Sequence, residues 1–558
     1  MIQQNFIKLY EDSFKENWDL PALSDYQGLD YTYGDISTMI AKQHLLFKEL
    51  GIKKGDKIAL FGKNSSKWCI GFLSTMTYGA VAVPVLADFK AEDATNIINH
   101  SDAVLLYVDK QNYELLDESK MKAIIAVFSL EDFALASSKP AKKLTDAVLK
   151  SEASFTEKYP DGYTKDHLKY PEIENSELVE INYTSGTTGF SKGVMLSANS
   201  LAGNMVFARA NMELHPGDKM LNVLPLAHCY GCAFDFLFPL SKGVHVTILG
   251  KIPATPVILK AFSEIRPHLI LFIPLFFEKI YKAKLLPTIS KGSMKVLLAI
   301  PGINRILYNA IKKKLMASFG GRFREAVLGG AGLNPEVEKF FKKIRFPFTI
   351  GYGMTECGPL IAYDGWKTSR FASSGKILDG IMEVKIDSED PYKEIGEILV
   401  KGENLMTGYY KNPEASAETI DKEGWLHTGD LGVTDSEGYI YIKGRSKSML
   451  LGPSGQNIYP EEIEARLNNM PYVSESVVLM NEDHKLEALV YPDKDAAKAD
   501  GVEGELVEKM EENRKELNKH VKGYESLLKI HIHDEEFVKT PKRSIKRFMY
   551  TLDGLKKE

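Results

Sequence analysis

Hydrophobic and polar positions change period several times along the first hundred residues. Leu29-Asp-Tyr-Thr-Tyr33 has a short strand pattern. From about Gly34 to Leu50, Ile36, Met39, Ile40, Gln43, Leu46 and Leu50 recur near the 3.6-residue period, with Gly51 as the stop. That spacing predicts a helix. Gly55-Asp56 turns into a strand, Lys57-Ile-Ala-Leu-Phe61. A polar turn at Gly62–Ser66, an apolar helix through Tyr78 and a second strand at Ala80–Pro84 follow. Strand, helix and strand at this spacing predict a parallel layer covered by helices on both faces. The same rhythm recurs at Ala103–Val108, Ala123–Phe128 and Val244–Leu249, whereas the Lys/Ser/Asp-rich stretch from Ala136 to Asn175 reads as a surface connection. Towards the end, Pro460–Leu467 begins a helix with Pro and acids in its first turn. Val473–Met480, Leu486–Tyr491 and Lys529–His533 are strand patterns, and a charged helix is expected over about Glu503–Lys522. The last hundred residues therefore read as a small α+β unit behind a large α/β one.

Composition narrows the class. The 558 residues are 44% hydrophobic and 26% charged, ordinary values for a globular chain with ample core. Seventy Lys and Arg against 75 Asp and Glu leave −5, which gives no argument for a nucleic-acid partner or for strong electrostatic membrane attraction. The four cysteines, at 69, 229, 232 and 357, are too few for a disulfide framework. Cys229 and Cys232 form C-x-x-C, but no second Cys/His pair completes a zinc site. No basic region leads into an apolar core near Met1, and the longest apolar run, Leu269 to Phe277, is interrupted by Pro274. The expectation is a cytoplasmic protein, although an enzyme of fatty substrates could still touch a membrane face.

One stretch carries chemistry: Tyr183-Thr-Ser-Gly-Thr-Thr-Gly-Phe-Ser-Lys-Gly-Val-Met-Leu-Ser197. Leu178–Tyr183 alternates like a strand ending in a turn. Gly186, Gly189 and Gly193 then permit positive φ and close backbone approach, so that consecutive N–H groups can face one concavity. Thr184, Ser185, Thr187, Thr188 and Ser191 add hydroxyl donors, and Lys192 a positive charge. Such a loop grips a polyphosphate. The spacing excludes the common P-loop, which needs Gly, four residues and Gly-Lys-Ser/Thr; here Ser191-Lys192-Gly193 follows instead.

Three further stretches follow in order: Gly351-Tyr-Gly-Met-Thr-Glu-Cys-Gly-Pro359, Trp425-Leu-His-Thr-Gly-Asp430 and Lys443-Gly-Arg445. Together with the loop they resemble the adenylate-forming (AMP-binding) enzymes, which include acyl-CoA synthetases, luciferases and peptide-synthetase adenylation domains. The resemblance implies the adenylate-forming fold: a large N-terminal domain, residues 1–445, of layered sheets and helices, and a small mobile C-terminal domain, 446–558. Lys447, two residues past Arg445, would be the hinge. It implies ATP and CoA as co-substrates and Mg²⁺ as cofactor. Ser185, Gly186, Thr187, Thr188 and Gly189 would hold phosphates. Gly329, Gly330 and Ala331 would receive one face of adenine, with Gly351, Tyr352, Gly353, Met354 and Thr355 on the other and Tyr352 as the stacking ring. A carboxylate beside the loop only adds repulsion unless a cation lies between, so Glu356 implies bridging Mg²⁺, with Thr184 as the matching hydroxyl ligand. Asp430 would accept both ribose hydroxyls and Arg445 would reach the ribose and α-phosphate.

His228 sits in Leu224-Pro-Leu-Ala-His-Cys-Tyr-Gly231. By itself a histidine among apolar residues reads as a satisfied core residue; by resemblance, the His or aromatic here closes over the acyl carboxylate, with Tyr230 and Gly231 beside it. Pro274-Leu-Phe-Phe-Glu-Lys-Ile-Tyr281, followed by the Lys-rich helical pattern from Ser293 to Phe319, is similar to the long-chain acyl-CoA synthetases and points to a fatty acyl substrate. The basic stretch Tyr308–Lys314 could equally be an ordinary solvated helix face. One departure concerns the family's last motif, Pro-Lys-Thr-x-x-Gly-Lys-Ile-x-Arg. The gapless match places Arg543 on its Gly and Ser544 on its catalytic Lys, so Lys542, Arg543 or Lys546 would have to substitute. Three readings follow: a long-chain fatty acid–CoA ligase, an acyl-adenylate ligase loading a separate carrier protein, and an adenylate-binding protein without turnover.

Overall fold

The computed structural model describes residues 1–137, 142–184, 192–250, 255–452, 456–539 and 545–552. The predicted opening helix spans Tyr33–Leu50. Thr32 and Asp35 close a capping box at its start, and Gly51 ends it in the left-handed conformation at φ 76°. The helix Ser66–Tyr78 repeats the device, with Ser65 accepting from the Trp68 N–H and Gly79 at φ 90°. Both helices lie against a seven-stranded sheet. Its order is Gly408–Tyr409, Lys192–Ser197, Leu178–Thr184, Val81–Val85, Lys57–Phe61, Ala103–Val108 and Ala126–Ser129. The strands from Leu178–Thr184 through Ala126–Ser129 run parallel, and the first two pair antiparallel. Trp68, Phe72 and Phe236 pack in one core with Leu60 and Ile70.

The expected strand near Val244–Leu249 is present as His245–Ile248 but belongs to a second sheet, parallel to Pro21–Asp25 and Lys219–Asn222. A third, parallel sheet joins Leu269–Phe272, Glu325–Leu328 and Phe348–Ile350, and delivers the chain to Gly329 and Gly351 at matching ends. An antiparallel sheet of Met382–Asp387, Gly396–Gly402, Leu426–Thr434 and Ile440–Arg445 carries Asp430 and Arg445.

The polar stretch 136–175 differs from expectation. It contains a helix, Lys142–Lys158, that buries Ala147 and Ser151 and packs Leu144 and Val148 against the main core. Its fully buried positions, Ala147 and Ser151, are small, which weakens the apolar signal that Leu144 and Val148 give the inward face. Lys150 pairs with Glu49 at 2.6 Å, and Lys42 lies 5.1 Å from the centre of the Phe155 ring.

Beyond Ser446 the chain builds the smaller C-terminal domain. The strands Val473–Met480, Leu486–Pro492 and Leu527–Ile532 form its sheet, covered by the helices Pro460–Leu467 and Leu506–Asn518. Ile463, Leu467, Val478, Ala488, Met510 and Leu527 make a core separate from the large domain's. Arg547 ties the tail down by contacting both oxygens of Glu464 at 2.7 Å. The two domains touch where Asn334 Nδ2 donates to the Ala465 carbonyl at 3.2 Å. Among the described residues no helix is long and apolar enough to cross a membrane.

Candidate active site

Three clusters of side chains assemble where the large domain's sheets meet. The first begins at the phosphate-loop stretch. Strand Leu178–Thr184 ends at half-buried Thr184, whose register partner on the returning strand is Lys192. Ser185, Gly186, Thr187, Thr188 and Gly189, with the rest of the turn to Ser191, lie outside the described residues. The Lys192 ammonium sits 4.7 Å from the centre of the Tyr409 ring. From the ring's edge the Tyr409 hydroxyl donates to Glu356 Oε1 at 2.9 Å. Lys192 and Glu356 are thus held by one buried tyrosine, the cation by its face and the carboxylate by its hydroxyl. Burial first, then the Glu356 carboxylate, pushes the Tyr409 hydroxyl above its usual range, which keeps it a donor at neutral pH. The backbone is fixed as well: the Met406 N–H donates to the Glu356 carbonyl at 2.8 Å, and Tyr409 pairs with Val194 beside Lys192.

The second cluster surrounds Asp430, which is 4% exposed. The Tyr352 hydroxyl donates to Asp430 Oδ2 at 2.7 Å, and Arg445 Nε lies 2.9 Å from Oδ1. Asp430 and Arg445 face each other across neighbouring strands. The Thr428 hydroxyl accepts the Asp430 N–H at 3.0 Å and shapes the turn through Gly429, at φ 70°. Burial raises the Asp430 carboxyl above the ordinary range, while Arg445 and Tyr352 oppose that rise. Tyr352 is therefore tied to Asp430 as well as offering a ring. Each carboxylate oxygen can accept more than one hydrogen bond, so acceptor capacity remains beyond Tyr352 and Arg445. Lys447 follows, exposed, in the turn Ser446–Ser448, where the Ser446 hydroxyl donates to the Gly429 carbonyl at 3.2 Å.

The third cluster links His228 to the glycine shelf. The Tyr230 N–H donates to His228 Nδ1 at 3.3 Å, an arrangement that requires Nδ1 unprotonated. The Tyr230 hydroxyl donates to the Val327 carbonyl at 3.1 Å, two residues before the shelf begins at Gly329. A Cβ on Gly329 would lie 3.1 Å from the Tyr230 ring, so the glycine admits the tyrosine. Gly330 is left-handed at φ 85° and, like Ala331, exposed. The Gly351 N–H donates to the Leu328 carbonyl at 2.8 Å, placing the two glycine-rich ends side by side. Gly353 is obligatory, because a Cβ there would meet the Pro359 carbonyl oxygen at 2.2 Å. Met354 is half-buried and Thr355 buried between Gly353 and Glu356.

Beneath His228 lies a polar pair absent from the sequence reading. Asn182 Nδ2 donates to Glu180 Oε1 at 2.8 Å and to the Ala227 carbonyl at 3.3 Å. Full burial pushes the Glu180 carboxyl up to about 7. Glu180 and Asn182 alternate inward on a strand buried on both sides, which was the available signal. Tyr409 was missed for another reason: its strand, Gly408–Tyr409, is too short to show a period. Cys229 and Cys232 are buried and in no disulfide, and burial raises the Cys232 thiol.

No three His, Cys, Asp or Glu gather as a metal site among the described residues. The donors present, one carboxylate and one hydroxyl, suit a hard cation completed by phosphate oxygens and water, which is how Mg²⁺ is usually held. Arg543 and Ser544, with Lys542, lie outside the described residues. Lys546 is half-buried and its N–H donates to the Val538 carbonyl at 2.9 Å. Lys539 is engaged with Glu475 at 2.8 Å.

The model of the AMP-binding enzyme family matches residues 10–410, and that of the AMP-binding enzyme C-terminal domain matches 448–551. The chain is 26% identical over 511 residues to the long-chain-fatty-acid–CoA ligase FadD15 of Mycobacterium bovis, covering 87% of this chain and 82% of that one. It is 28% identical over 477 residues to a 4-coumarate–CoA ligase of Vanilla planifolia, covering 81% and 77%. The crystal structure of the anthranilate CoA ligase AuaEII in complex with anthranoyl-AMP superposes with a TM-score of 0.77 at 20% identity, over 98% of this chain and 96% of that one. That likeness extends the adenylate-forming fold across both domains. With its motifs in order, its two-domain architecture and family models matching both parts, the chain belongs to the AMP-binding, adenylate-forming enzymes.

Proposed function

We propose that this protein is an AMP-forming acid–CoA ligase whose acid is a long-chain fatty acid. In the first half-reaction the acid's carboxylate oxygen bonds to the α-phosphorus of ATP while the bond to the bridging oxygen breaks, giving acyl-AMP and pyrophosphate. In the second, the CoA sulfur bonds to the acyl carbon, the acyl–phosphate bond breaks and AMP leaves; the thiol proton passes to solvent. The observation that carries this reading is the pair Lys192 and Glu356 on one tyrosine beside the turn that follows Thr184.

The first step brings an anion against a polyanion, so charge cancellation and alignment dominate. In this assignment Lys192 faces the phosphates and Tyr409 fixes its position. Glu356 and Thr184 would hold Mg²⁺, which when bound neutralises phosphate charge and orients the α-phosphorus. Asp430 holds the ribose hydroxyls, with Arg445 anchored to it and directed towards the α-phosphate. Gly329–Ala331 and Gly351–Thr355 flank the base, with Tyr352 the stacking ring as well as a donor to Asp430. His228, aimed by the Tyr230 backbone, closes on the acyl carboxylate. Rotation about Lys447 would exchange the small-domain face between the half-reactions.

The fatty chain is supported by the Pro274–Tyr281 segment and by the fatty-acid ligase of M. bovis; the Vanilla relative's 4-coumarate shows how far acids vary within such similarity. Pyrophosphate release across a chain-length series, with and without CoA, tests both levels. Long-chain acids should give release, with acyl-CoA formed only when CoA is present. Release without acyl-CoA would replace CoA by a carrier protein. A preference for aryl acids would keep the ligase and discard the fatty chain, and no release with any acid would discard the ligase.

A further inference from the structure

The segment after Glu278 behaves unlike the rest of the large domain. Its helix Gly292–Ala299 buries none of its residues, and Ile303–Ser318 buries only Leu315. Val296 is 64% and Ile306 71% exposed, and Leu297, Ile300 and Ile303 are exposed beside them. Tyr308 and Ile311 face the other way, packing against the core that holds Phe262 and Phe319. The hairpin is therefore anchored by one face while its tip, around Pro301-Gly302, presents aliphatic side chains outward. An eight-residue helix is not stable alone in water, and none of this one's side chains is fully buried by the described residues.

Charge identifies the partner. Between Glu278 and Glu325 the chain carries eleven Lys and Arg and no Asp or Glu, within a protein of net charge −5. Lys291, Lys295 and Arg305 are exposed next to the aliphatic tip, and Lys313 and Lys314 are exposed further along. A second copy seated by two-fold symmetry would set this basic segment against itself. An anionic bilayer surface instead satisfies both features, with aliphatic side chains at the acyl boundary and ammonium groups at the phosphates.

We propose that the hairpin Leu286–Ser318 docks this protein peripherally on an anionic lipid surface, with Val296, Leu297, Ile300, Ile303 and Ile306 entering the interface. The docking is independent of which acid the active site takes. The test is sedimentation of the full-length protein with vesicles of phosphatidylcholine alone and of phosphatidylcholine mixed with phosphatidylglycerol. Binding should require the anionic lipid and weaken as salt is raised to about 0.5 M. Val296→Glu with Ile306→Glu should lower the vesicle affinity by roughly tenfold or more, and Lys291→Glu with Lys295→Glu should do likewise. Because all four side chains are exposed, thermal unfolding should be unchanged; Val296→Ser with Ile306→Ser provides a milder pair if the acidic one misfolds. The proposal is overturned if the wild type ignores both vesicle types or if the variants bind as well as it does. It is equally overturned if the same variants abolish a lipid-independent dimer.

Discussion

Two carboxylates, Glu356 and Asp430, stand in the cleft in opposite circumstances. Glu356 is half-buried and accepts from a neutral hydroxyl, that of Tyr409. Asp430 is nearly inaccessible, accepts from Tyr352, pairs with Arg445 and has its carboxyl raised by burial. A half-exposed carboxylate aimed by one rigid ring suits an ion that arrives with the substrate. A buried one caged by donors suits a fixed acceptor for neutral hydroxyls. On the proposed assignment, position in the burial gradient, more than residue type, would separate the metal-holding carboxylate from the sugar-holding one.

The comparison can be broken at either end. The largest effect is expected from Glu356→Gln, which keeps the acceptor for Tyr409 and removes the charge. Acyl-adenylate formation should fall on the order of 10²–10³-fold with unfolding unchanged, and unaltered pyrophosphate release would remove Glu356 from the metal role. Asp430→Asn comes next. Loss of hydrogen bonds to a charged acceptor, about 1.5–3 kcal/mol, should raise the KM for ATP roughly 10–100-fold. A fall in kcat at constant KM would contradict a ribose-holding role. Tyr409→Phe keeps the ring under Lys192 and deletes only the hydroxyl. A loss of about 1 kcal/mol should cut the rate roughly fivefold and raise the Mg²⁺ concentration needed for half-maximal rate.

The smallest effect on rate, and a visible one on stability, is expected from Glu180→Gln beneath His228. The folded-state pKa of Glu180, about 7, lies above its ordinary value of 4.5. Between those values the folded protein binds the extra proton, so Glu180 makes stability decline as pH rises from about 4.5 to 7. Gln at this position removes that decline, a gain of at most ~3 kcal/mol above pH 7. Denaturant titrations of both proteins at pH 5 and pH 8 check it: a constant difference between them would show that the carboxyl does not titrate on folding.

Much of the architecture was legible because its signals are local. Thr32 with Asp35 and the glycines at 51 and 79 mark helix ends, and the strands at 57–61 and 103–108 are short apolar blocks bounded by turns. The motif residues Lys192, Tyr352, Glu356, Asp430 and Arg445 were each visible in the sequence. Their pairing was not, since Tyr409 reaches Glu356 across 53 positions and owes its place to a two-residue strand. Tyr352 was expected as a stacking ring, and its bond to Asp430 spans 78 positions, beyond any periodicity. The helix Lys142–Lys158 stayed hidden because its fully buried positions, Ala147 and Ser151, carry little hydropathy.

The most direct measurement is a crystal of the protein with Mg²⁺ and a non-hydrolysable ATP analogue. The account predicts the β- and γ-phosphates against the turn between Thr184 and Lys192, the metal on Glu356, and the ribose hydroxyls within hydrogen-bond reach of Asp430. A nucleotide bound elsewhere, or one whose ribose avoids Asp430 while its phosphates avoid Lys192, would contradict it.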